Sequence, residues 1–291
     1  SIIITSRNEP QTIGKAISSF LNQGFDCEII VSAPDEETLN IARKYMRKDK
    51  NNKVKIIKDW GVGKPAALNK ALSRARGEII VLSDGDVYVD NNSTKNLVKH
   101  FNKKEIGGVS GRVVPVNNKN KMFGFWAFVL TEGFHNLRNS ENENNENVVC
   151  TGYLYAIRKK LFEKVPENVL AEDAYLSNLI NNKGYKTIYE SRAKVFVKYP
   201  ENLRDWIKQK KRTAARVYQI RKYFKIKKVD YFIDELLSGA RVIFEINRIR
   251  ELVWFFFLGV MRLYIWFRIF VDFRLWKRPF EKVWERVETT K

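Results

Sequence analysis

Residues 78–86 read Glu-Ile-Ile-Val-Leu-Ser-Asp-Gly-Asp, and this stretch decides the fold class. Glu78–Ser83 predicts a buried strand, because a short apolar run is followed at once by turn residues. The strand leads directly into Asp84-Gly85-Asp86, so two carboxylates lie at its carboxyl end. Open α/β sheets bind their ligands at this edge. The stretch therefore predicts an α/β fold and the edge of the sheet that carries the chemistry.

The residues before this strand alternate between strand and helix signals. Strands are predicted at Ile2–Thr5, Glu28–Val31 and Val54–Ile57, and helices at Pro10–Leu21, Glu36–Met46 and Pro65–Ala75. Strands that alternate with helices in this way form βαβ units, in which the strands pair in parallel. We therefore predict a mostly parallel, Rossmann-like sheet covered by helices.

The composition is that of a folded and strongly basic protein. Of the 291 residues, 44% are hydrophobic and 13% are aromatic, which excludes a disordered or collagen-like chain. Two cysteines and two histidines are too few for a disulfide framework or a His-rich metal site. Lys and Arg outnumber Asp and Glu by 53 to 33, a net charge of +20. We therefore expect an anionic partner: nucleic acid, anionic lipid or a phosphorylated substrate.

Two segments of the first half suit a diphosphate group. The carboxylates of Asp84 and Asp86 can offer oxygens to a hard divalent cation that also binds diphosphate oxygens. On spacing alone, an ordinary solvated turn is the more common interpretation of this pair. Lys64 follows Gly61-Val62-Gly63 at a predicted helix start, where amide donors suit phosphate whether or not the lysine contacts it.

Five motifs, in the right order, resemble those of the family 2 glycosyltransferases, inverting enzymes of the GT-A fold, over roughly residues 1–220. They are Ile3–Glu9, which resembles the family's first strand and Asn-Glu turn; Gly63–Asn69, its Gly-Lys-x-x-Ala-Leu-Asn helix start; Asp84-Gly85-Asp86, its metal motif; Glu172-Asp173, its Glu-Asp pair; and Gln209–Arg212, the Gln-x-x-Arg of its Gln-x-x-Arg-Trp motif.

The resemblance implies a metal-dependent hexosyl- or N-acetylhexosaminyltransferase that uses a nucleotide-diphosphate donor, preferably a UDP-sugar, and a hydroxyl of a glycan or lipid-linked acceptor. It implies that Asp173 is the catalytic base and that Asp86 binds Mg²⁺ or Mn²⁺. Donor contacts are implied for Thr5, Glu9, Asp35, Lys64, Asn69, Asp84, Glu172, Gln209 and Arg212.

Two positions depart from the family's pattern. Ser32-Ala33-Pro34 stands where an acidic pair is expected after the second strand, so the nucleobase contact passes to Asp35. Thr213 stands where the last motif has Trp, which leaves single-sugar transfer and polymerisation both open.

Simpler interpretations exist for several of these residues. Acidic residues in the first turn of a helix, such as Glu172-Asp173, gain about 0.3–1 kcal/mol each from the helix dipole without any catalytic role. Lys208, Lys210 and Lys211 suit a solvated helix face. A polyprenyl-phosphate glycosyl synthase, whose acceptor is already ionised, is the alternative enzyme. A basic nucleic-acid-binding protein is the non-enzyme alternative, but no recognised motif accompanies the charge, so we expect no nucleic-acid partner.

A basic run over residues 204–228 precedes a very aromatic segment, Leu252–Val271. That length just spans a bilayer, but Arg262 and Arg268, at about +3 kcal/mol each, offset most of the apolar transfer free energy. The two arginines lie about 240° apart around a helix, so we expect no single clean amphipathic face. We predict a monotopic segment at a membrane surface, with a packed helical core or an oligomer interface as the alternative.

These patterns divide the chain into a GT-A catalytic domain, residues 1–228, and a helical, aromatic-rich, membrane-associating region, residues 229–291. The polar stretch Asn139–Asn147 predicts a mobile loop within the first part. Because the chain opens on a strand signal at Ile2, we expect no signal peptide. We also expect the catalytic domain to lie on the cytoplasmic side of the membrane.

Overall fold

The computed structural model describes residues 1–224, 243, 246, 248–276 and 290. These residues form two compact units. The first comprises residues 1–114 and 139–197, and the second comprises residues 115–138 and the described part of 198–290. The predicted boundary between residues 228 and 229 lies outside the described residues, so that division of the chain stays a prediction.

The first unit is built on an eight-stranded sheet. Its strands are β1 Ile2–Thr5, β2 Ile29–Ala33, β3 Val54–Lys58, β4 Ile79–Asp84, β5 Tyr88–Val89, β6 Ile106–Pro115, β7 Leu154–Arg158 and β8 Lys186–Val197. They lie in the order β3-β2-β1-β4-β7-β6-β8-β5.

One half of this sheet is parallel and the other half contains antiparallel pairs. Strand β1 pairs in parallel with β2 and β4, and β2 pairs in parallel with β3, as the βαβ pattern predicts. Strand β7 pairs antiparallel with β4 and β6, and β5 pairs antiparallel with β8. The α/β fold class is therefore confirmed, and the sheet as a whole is mixed.

The described helices are α1 Ile13–Leu21, α2 Glu36–Lys48, α3 Lys64–Leu72, α4 Ser93–Val98, α5 Met122–Glu143, α6 Glu172–Asn182, α7 Leu203–Phe224 and α8 Ile249–Phe270. Helices α1, α2 and α3 lie in the connections between the parallel strands, where the sequence predicts them. Strands β1 and β2 are buried along their whole length. Burial on both faces explains why they are continuous apolar runs in the sequence.

Strand register brings the predicted chemistry to one edge of the sheet. Thr5, the last residue of β1, lies opposite Asp84 of β4 and Ser32 of β2. The Gly85 amide donates a hydrogen bond of 3.0 Å to the Thr5 carbonyl oxygen, which ties the turn after β4 to the end of β1. The carboxylates of the turn therefore lie at the carboxyl edge of the parallel strands.

Helix α5 continues into the stretch that predicts a mobile loop. It ends at Glu143, so the prediction of a loop over Asn139–Asn147 is wrong for its first half. The physical reason is tertiary: the Asn142 side-chain amide bonds the backbone of Tyr189 in β8, at 2.6 and 2.9 Å. These hydrogen bonds hold a polar segment in helical geometry that its composition alone does not favour.

The second unit has its own aromatic core. The rings of Trp126 and Trp206 pack edge to face with centroids 5.0 Å apart. The Trp126 indole nitrogen donates a hydrogen bond of 2.8 Å to the Trp254 carbonyl oxygen. The buried residues around them are Phe125, Val129, Leu130, Ala214, Ala215, Leu258, Ile265, Ile269 and Phe273. One face of α8 is thus a packed helical element, as the alternative interpretation of Leu252–Val271 expects.

The opposite face of α8 is apolar and exposed to solvent. Its residues are Leu252, Val253, Phe256, Phe257, Val260, Leu263, Tyr264, Phe267 and Phe270. Their spacing of three and four places them along one side of the helix. Arg262 is buried on the other side, so the prediction of no single clean face is wrong. The segment Ile249–Leu275 is also long and apolar enough to cross a membrane, a property that core helices of soluble proteins share.

Candidate functional site

An ammonium group at the start of α3 joins two carboxylates from different elements. Lys64 Nζ lies 2.6 Å from Asp84 Oδ1 and 2.5 Å from Glu172 Oε1. It also lies 3.5 Å from the Gly152 carbonyl oxygen. Desolvation opposes the charge of Lys64, but the two carboxylates outweigh it and raise the lysine pKa well above its usual value. Three of the predicted motifs therefore meet at one protonated nitrogen.

The local sequence explains why Lys64 reaches this position. Gly63 has a φ of 146°, a conformation that side chains rarely adopt, and it turns the chain into α3. Pro65 lies in the first turn of the helix, where its fixed φ is already helical and its missing amide hydrogen costs nothing. Lys64 is therefore the first residue of α3, at the end of the helix whose amide groups also favour anions.

The turn after β4 brings a third acidic residue beside the two aspartates. A Cβ on Gly85 would lie 2.3 Å from Ser6 Oγ and 2.6 Å from Glu9 Oε2. The Ser6 hydroxyl donates a hydrogen bond of 2.6 Å to that same Glu9 oxygen. The φ of Gly85 is not positive, so its backbone conformation does not require glycine. Glycine is needed because the two turns approach so closely that no side chain fits between them. The Asn-Glu turn and the Asp84-Gly85-Asp86 turn are consequently in contact.

The charge around this turn fits a divalent cation. Burial, and then the nearby carboxylates of Asp86 and Asp84, raise the pKa of Glu9 well above its usual value. In the described part of the chain, no three His, Cys, Asp or Glu side chains are arranged to hold a metal ion by themselves. A cation held by Asp86 would need further oxygen ligands, and a diphosphate supplies such oxygens. The residues present therefore fit a cation site completed by a ligand.

Glu172 and Asp173, at the start of α6, lie in different environments. Glu172 is only 3% exposed and pairs with Lys64, whereas Asp173 is half-buried. Asp173 Oδ1 accepts a hydrogen bond of 2.9 Å from the Ala174 amide. Its Oδ2 lies 2.9 Å from the place that a Cβ on Gly152 would occupy. The pair therefore consists of a buried partner for the lysine and a carboxylate that a ligand can reach.

Three further predicted donor contacts also have protein partners or lie buried. Asp35 caps α2, with Oδ1 accepting from the Thr38 amide at 2.9 Å and Oδ2 from the Asn8 amide at 2.6 Å. Desolvation opposes ionisation of Asp35, but hydrogen bonds outweigh it and lower the pKa. Thr5 is buried at the end of β1. Asn69 binds the backbone of Val165. A nucleobase contact for Asp35 stays a prediction.

Gln209 and Arg212 lie one turn apart on α7, in the second unit. Gln209 is buried, and its carboxamide oxygen has no hydrogen-bond partner among the described residues. Lys210 is buried too, and Lys211 lies 3.4 Å from the buried carboxylate of Asp272. The interpretation of this turn as a solvated basic face is therefore wrong for Lys210, because the helix packs in the core of its unit.

Two residues near the carboxyl edge were not predicted from the sequence. Tyr155 on β7 is 1% exposed, and burial, followed by the charges of Glu172 and Asp173, raises the pKa of its phenol well above the usual value. Asp59, buried after β3, accepts hydrogen bonds from Ser32 Oγ at 3.1 Å and from the Gly61 amide at 2.8 Å. Tyr155 was not predicted because it lies within an apolar strand pattern. Asp59 was not predicted because an Asp before Trp-Gly indicates only a turn.

The sequence model of glycosyl transferase family 2 matches residues 1–166, more than half of the chain. The chain therefore belongs to this family.

Individual relatives agree with that assignment. The chain is 27% identical over 184 residues to the O-antigen chain rhamnosyltransferase WbaN of Salmonella anatum, covering 60% of this chain and 56% of the relative. It is 22% identical over 226 residues to the poly-beta-1,6-N-acetyl-D-glucosamine synthase of Staphylococcus epidermidis, covering 76% and 55%. The chain thus spans between half and two thirds of the length of the curated relatives it matches.

A solved structure shows the same fold. The mannosyltransferase PcManGT from Pyrobaculum calidifontis, in complex with GDP-Man and Mn²⁺, superposes with a TM-score of 0.66 and 17% identity. The superposition covers 95% of this chain and 87% of the other. It confirms the predicted GT-A fold.

We expect Gly85→Ala to disrupt the turn after β4. The added Cβ would meet Ser6 Oγ and Glu9 Oε2, so the turn must shift, at a cost of about 1–3 kcal/mol. Gly259→Ala is the control, because a Cβ there would meet no side chain or other element within 4 Å among the described residues. Thermal unfolding should show a lower Tm for Gly85→Ala alone. Equal Tm values for both variants and the wild type would contradict the close packing.

Proposed function

We propose that this chain transfers a sugar from a nucleotide-diphosphate donor, preferably a UDP-sugar, to a hydroxyl group of a glycan or lipid-linked acceptor, with inversion at the anomeric carbon. The observation that carries the proposal is the meeting of Lys64, Asp84 and Glu172 at the carboxyl edge of the parallel strands. Membership of the family supports it, as do relatives named as a rhamnosyltransferase and a poly-N-acetylglucosamine synthase.

The donor diphosphate would bind beside the turn after β4. Asp86, with Asp84, would hold Mg²⁺ or Mn²⁺, which when bound neutralises the negative charge that develops on the leaving diphosphate. PcManGT was solved with Mn²⁺, which supports this choice of cation. Lys64 is fixed close to Asp84 and adds a second positive charge that does not depend on a metal. Thr5, Glu9, Asp35, Gln209 and Arg212 remain predicted donor contacts.

Asp173 is the proposed general base. Its carboxylate accepts the proton of the acceptor hydroxyl while that oxygen forms a bond to the anomeric carbon of the donor. The bond from the anomeric carbon to the diphosphate breaks, and its electron pair stays on the phosphate oxygen. Gly152 has no side chain, which leaves the approach to Asp173 Oδ2 uncrowded and so suits the role of Asp173 as the base. Glu172, held by Lys64, fixes the start of α6 next to the base.

We also propose that the exposed face of α8 lies on a membrane surface, and that the first unit, which carries the proposed active site, is on the cytoplasmic side. The face is continuous and apolar, and exposed arginines flank it: Arg248 and Arg250 before it and Arg274 after it. Apolar rings bury at the headgroup boundary, and guanidinium groups meet lipid phosphate there. This placement suits an enzyme whose acceptor is lipid-linked.

Removal of divalent metal should abolish sugar transfer and weaken nucleotide binding. The reason is that Asp84 and Asp86 repel a diphosphate unless a cation lies between them. Calorimetric titration with UDP and with GDP, in Mn²⁺ and in excess EDTA, measures the binding, and nucleotide release measures the turnover. Full binding and turnover in EDTA would show that no metal is needed.

Asp173→Asn should lower kcat by about 10²–10⁴-fold and leave donor affinity nearly unchanged, because the amide is almost isosteric but cannot accept the proton. Asp26→Asn is the matched control, since the Asp26 side chain is fully exposed. Nucleotide release with a hydroxyl acceptor measures the rate. Full activity of Asp173→Asn on that acceptor would refute the base assignment. If Asp173→Asn keeps full activity on a polyprenyl phosphate but not on the hydroxyl acceptor, the result favours the reaction with an ionised acceptor.

The protein should sediment with anionic vesicles, and high salt should weaken this binding without eliminating it, because only the arginine contribution is screened. Phe256→Glu together with Phe267→Glu should remove most of the remaining binding. Met46→Glu, a charge added to an exposed apolar residue of the first unit, should not. If the wild type stays in the supernatant at low salt, the face of α8 is a protein interface instead.

A further inference from the structure

Asn69 holds the loop before Glu172-Asp173 with both ends of its side-chain amide. Its Nδ2 donates a hydrogen bond of 2.8 Å to the Val165 carbonyl oxygen, and its Oδ1 accepts one of 2.9 Å from the Val165 amide. A neighbouring strand would satisfy Val165 with the same pair of hydrogen bonds. Val165 is fully buried, so backbone groups left unpaired there would be costly.

The loop that Asn69 holds leads directly into α6. Residues 162–171 form neither a helix nor a strand, and α6 follows at once with Glu172 and Asp173. A groove of about 470 Å³ lies between this loop and α3. Its walls include Ala66, Lys70 and Leu72 of α3 and Phe162, Lys164 and Glu167 of the loop. The groove leaves the side of the loop at Phe162, Lys164 and Glu167 open, whereas Val165, Val169 and Ala171 are buried on its other side.

A second contact from the same helix holds the other end of the loop. Lys64, at the start of α3, pairs with Glu172 at 2.5 Å, while Asn69, farther along α3, binds Val165. Helix α3 thus contacts Val165 within the loop and Glu172 directly after it. The proposed base, Asp173, is the next residue along the chain.

We infer that Asn69 is a positioning residue, which keeps the loop at residues 162–171 in place so that Asp173 faces the reacting sugar. This inference rests on the proposed function. It differs from the donor contact that the sequence predicts for Asn69, because both the donor and the acceptor end of the amide are directed at Val165. Displacement of a reacting group by about 1 Å is enough to lower a rate about 10²-fold.

Among the residues that the structure describes, two further amide contacts are of the same kind and supply matched controls. Asn142 bonds the backbone of Tyr189 at 2.6 and 2.9 Å, and Asn117 bonds the backbone of Tyr199 at 2.9 and 2.7 Å. Each contact joins a side-chain amide to both polar groups of one residue. Neither involves the loop at residues 162–171.

The test compares Asn69→Ala, Asn142→Ala and Asn117→Ala in the full chain. All three should lower Tm, because each loses two hydrogen bonds to a backbone. Only Asn69→Ala should lower kcat, by about 10–100-fold, with the Kd for UDP or GDP in Mn²⁺ changed by less than about twofold. Asn69→Asp, which is nearly isosteric and loses only the donated hydrogen bond, should also lower kcat and replaces Asn69→Ala if that variant does not fold.

Hydrogen exchange separates this inference from the proposed function. Amides of residues 162–171 should exchange faster in Asn69→Ala than in Asn142→Ala, whether or not a donor has been found. Equal exchange in the two variants, or equal kcat values in all three, would overturn the positioning role. Weaker nucleotide binding in Asn69→Ala alone would overturn it too and make Asn69 a donor contact. A wild type that binds no nucleotide and consumes no nucleotide sugar would contradict the proposed function itself.

Discussion

The ion pairs of Lys64 with Asp84 and Glu172 are the interaction on which the site depends. They join the start of α3, the end of β4 and the start of α6, three elements far apart in the sequence. Glu172 is almost fully buried, and a buried carboxylate without a counter-ion is strongly destabilising. Lys64 therefore does more than supply charge to a ligand: it makes the acidic start of α6 compatible with burial and so fixes where Asp173 lies.

Around this lysine, the site has two electrostatic halves that share Asp84. One half contains the protonated lysine and the amide end of α3, which favour anions. The other half contains Glu9 and Asp86, and their neighbouring carboxyl groups favour a cation. Burial, followed by the charge of Asp86, raises the pKa of Glu9. A diphosphate bound together with a divalent cation satisfies both halves, and neither group alone does so. This complementarity links the geometry to the chemistry expected of a family 2 member.

The sequence predicts the parallel strands and their reactive edge because apolar runs and turn residues are local features. The contact between Lys64 and Glu172 is different, because sequence periodicity does not predict contacts between residues so far apart. Only the resemblance to the family, which implies a donor contact for each of them, suggests that they lie close together. The antiparallel half of the sheet and the burial of Arg262 depend on which elements pack together. Asn69 illustrates the same limit, because its motif predicts a ligand contact while its amide binds the buried backbone of Val165.

Binding of a nucleotide diphosphate by charge variants of α3 tests the account most directly. Lys64→Met keeps the aliphatic stem and removes the ammonium group, and Lys70→Met makes the same change on the same helix, where the ammonium group bonds the Lys58 carbonyl oxygen. Calorimetry with UDP and GDP in Mn²⁺ should give equal affinity for the wild type and Lys70→Met, and affinity weaker by at least about tenfold for Lys64→Met. Equal affinity in all three folded proteins would contradict the account.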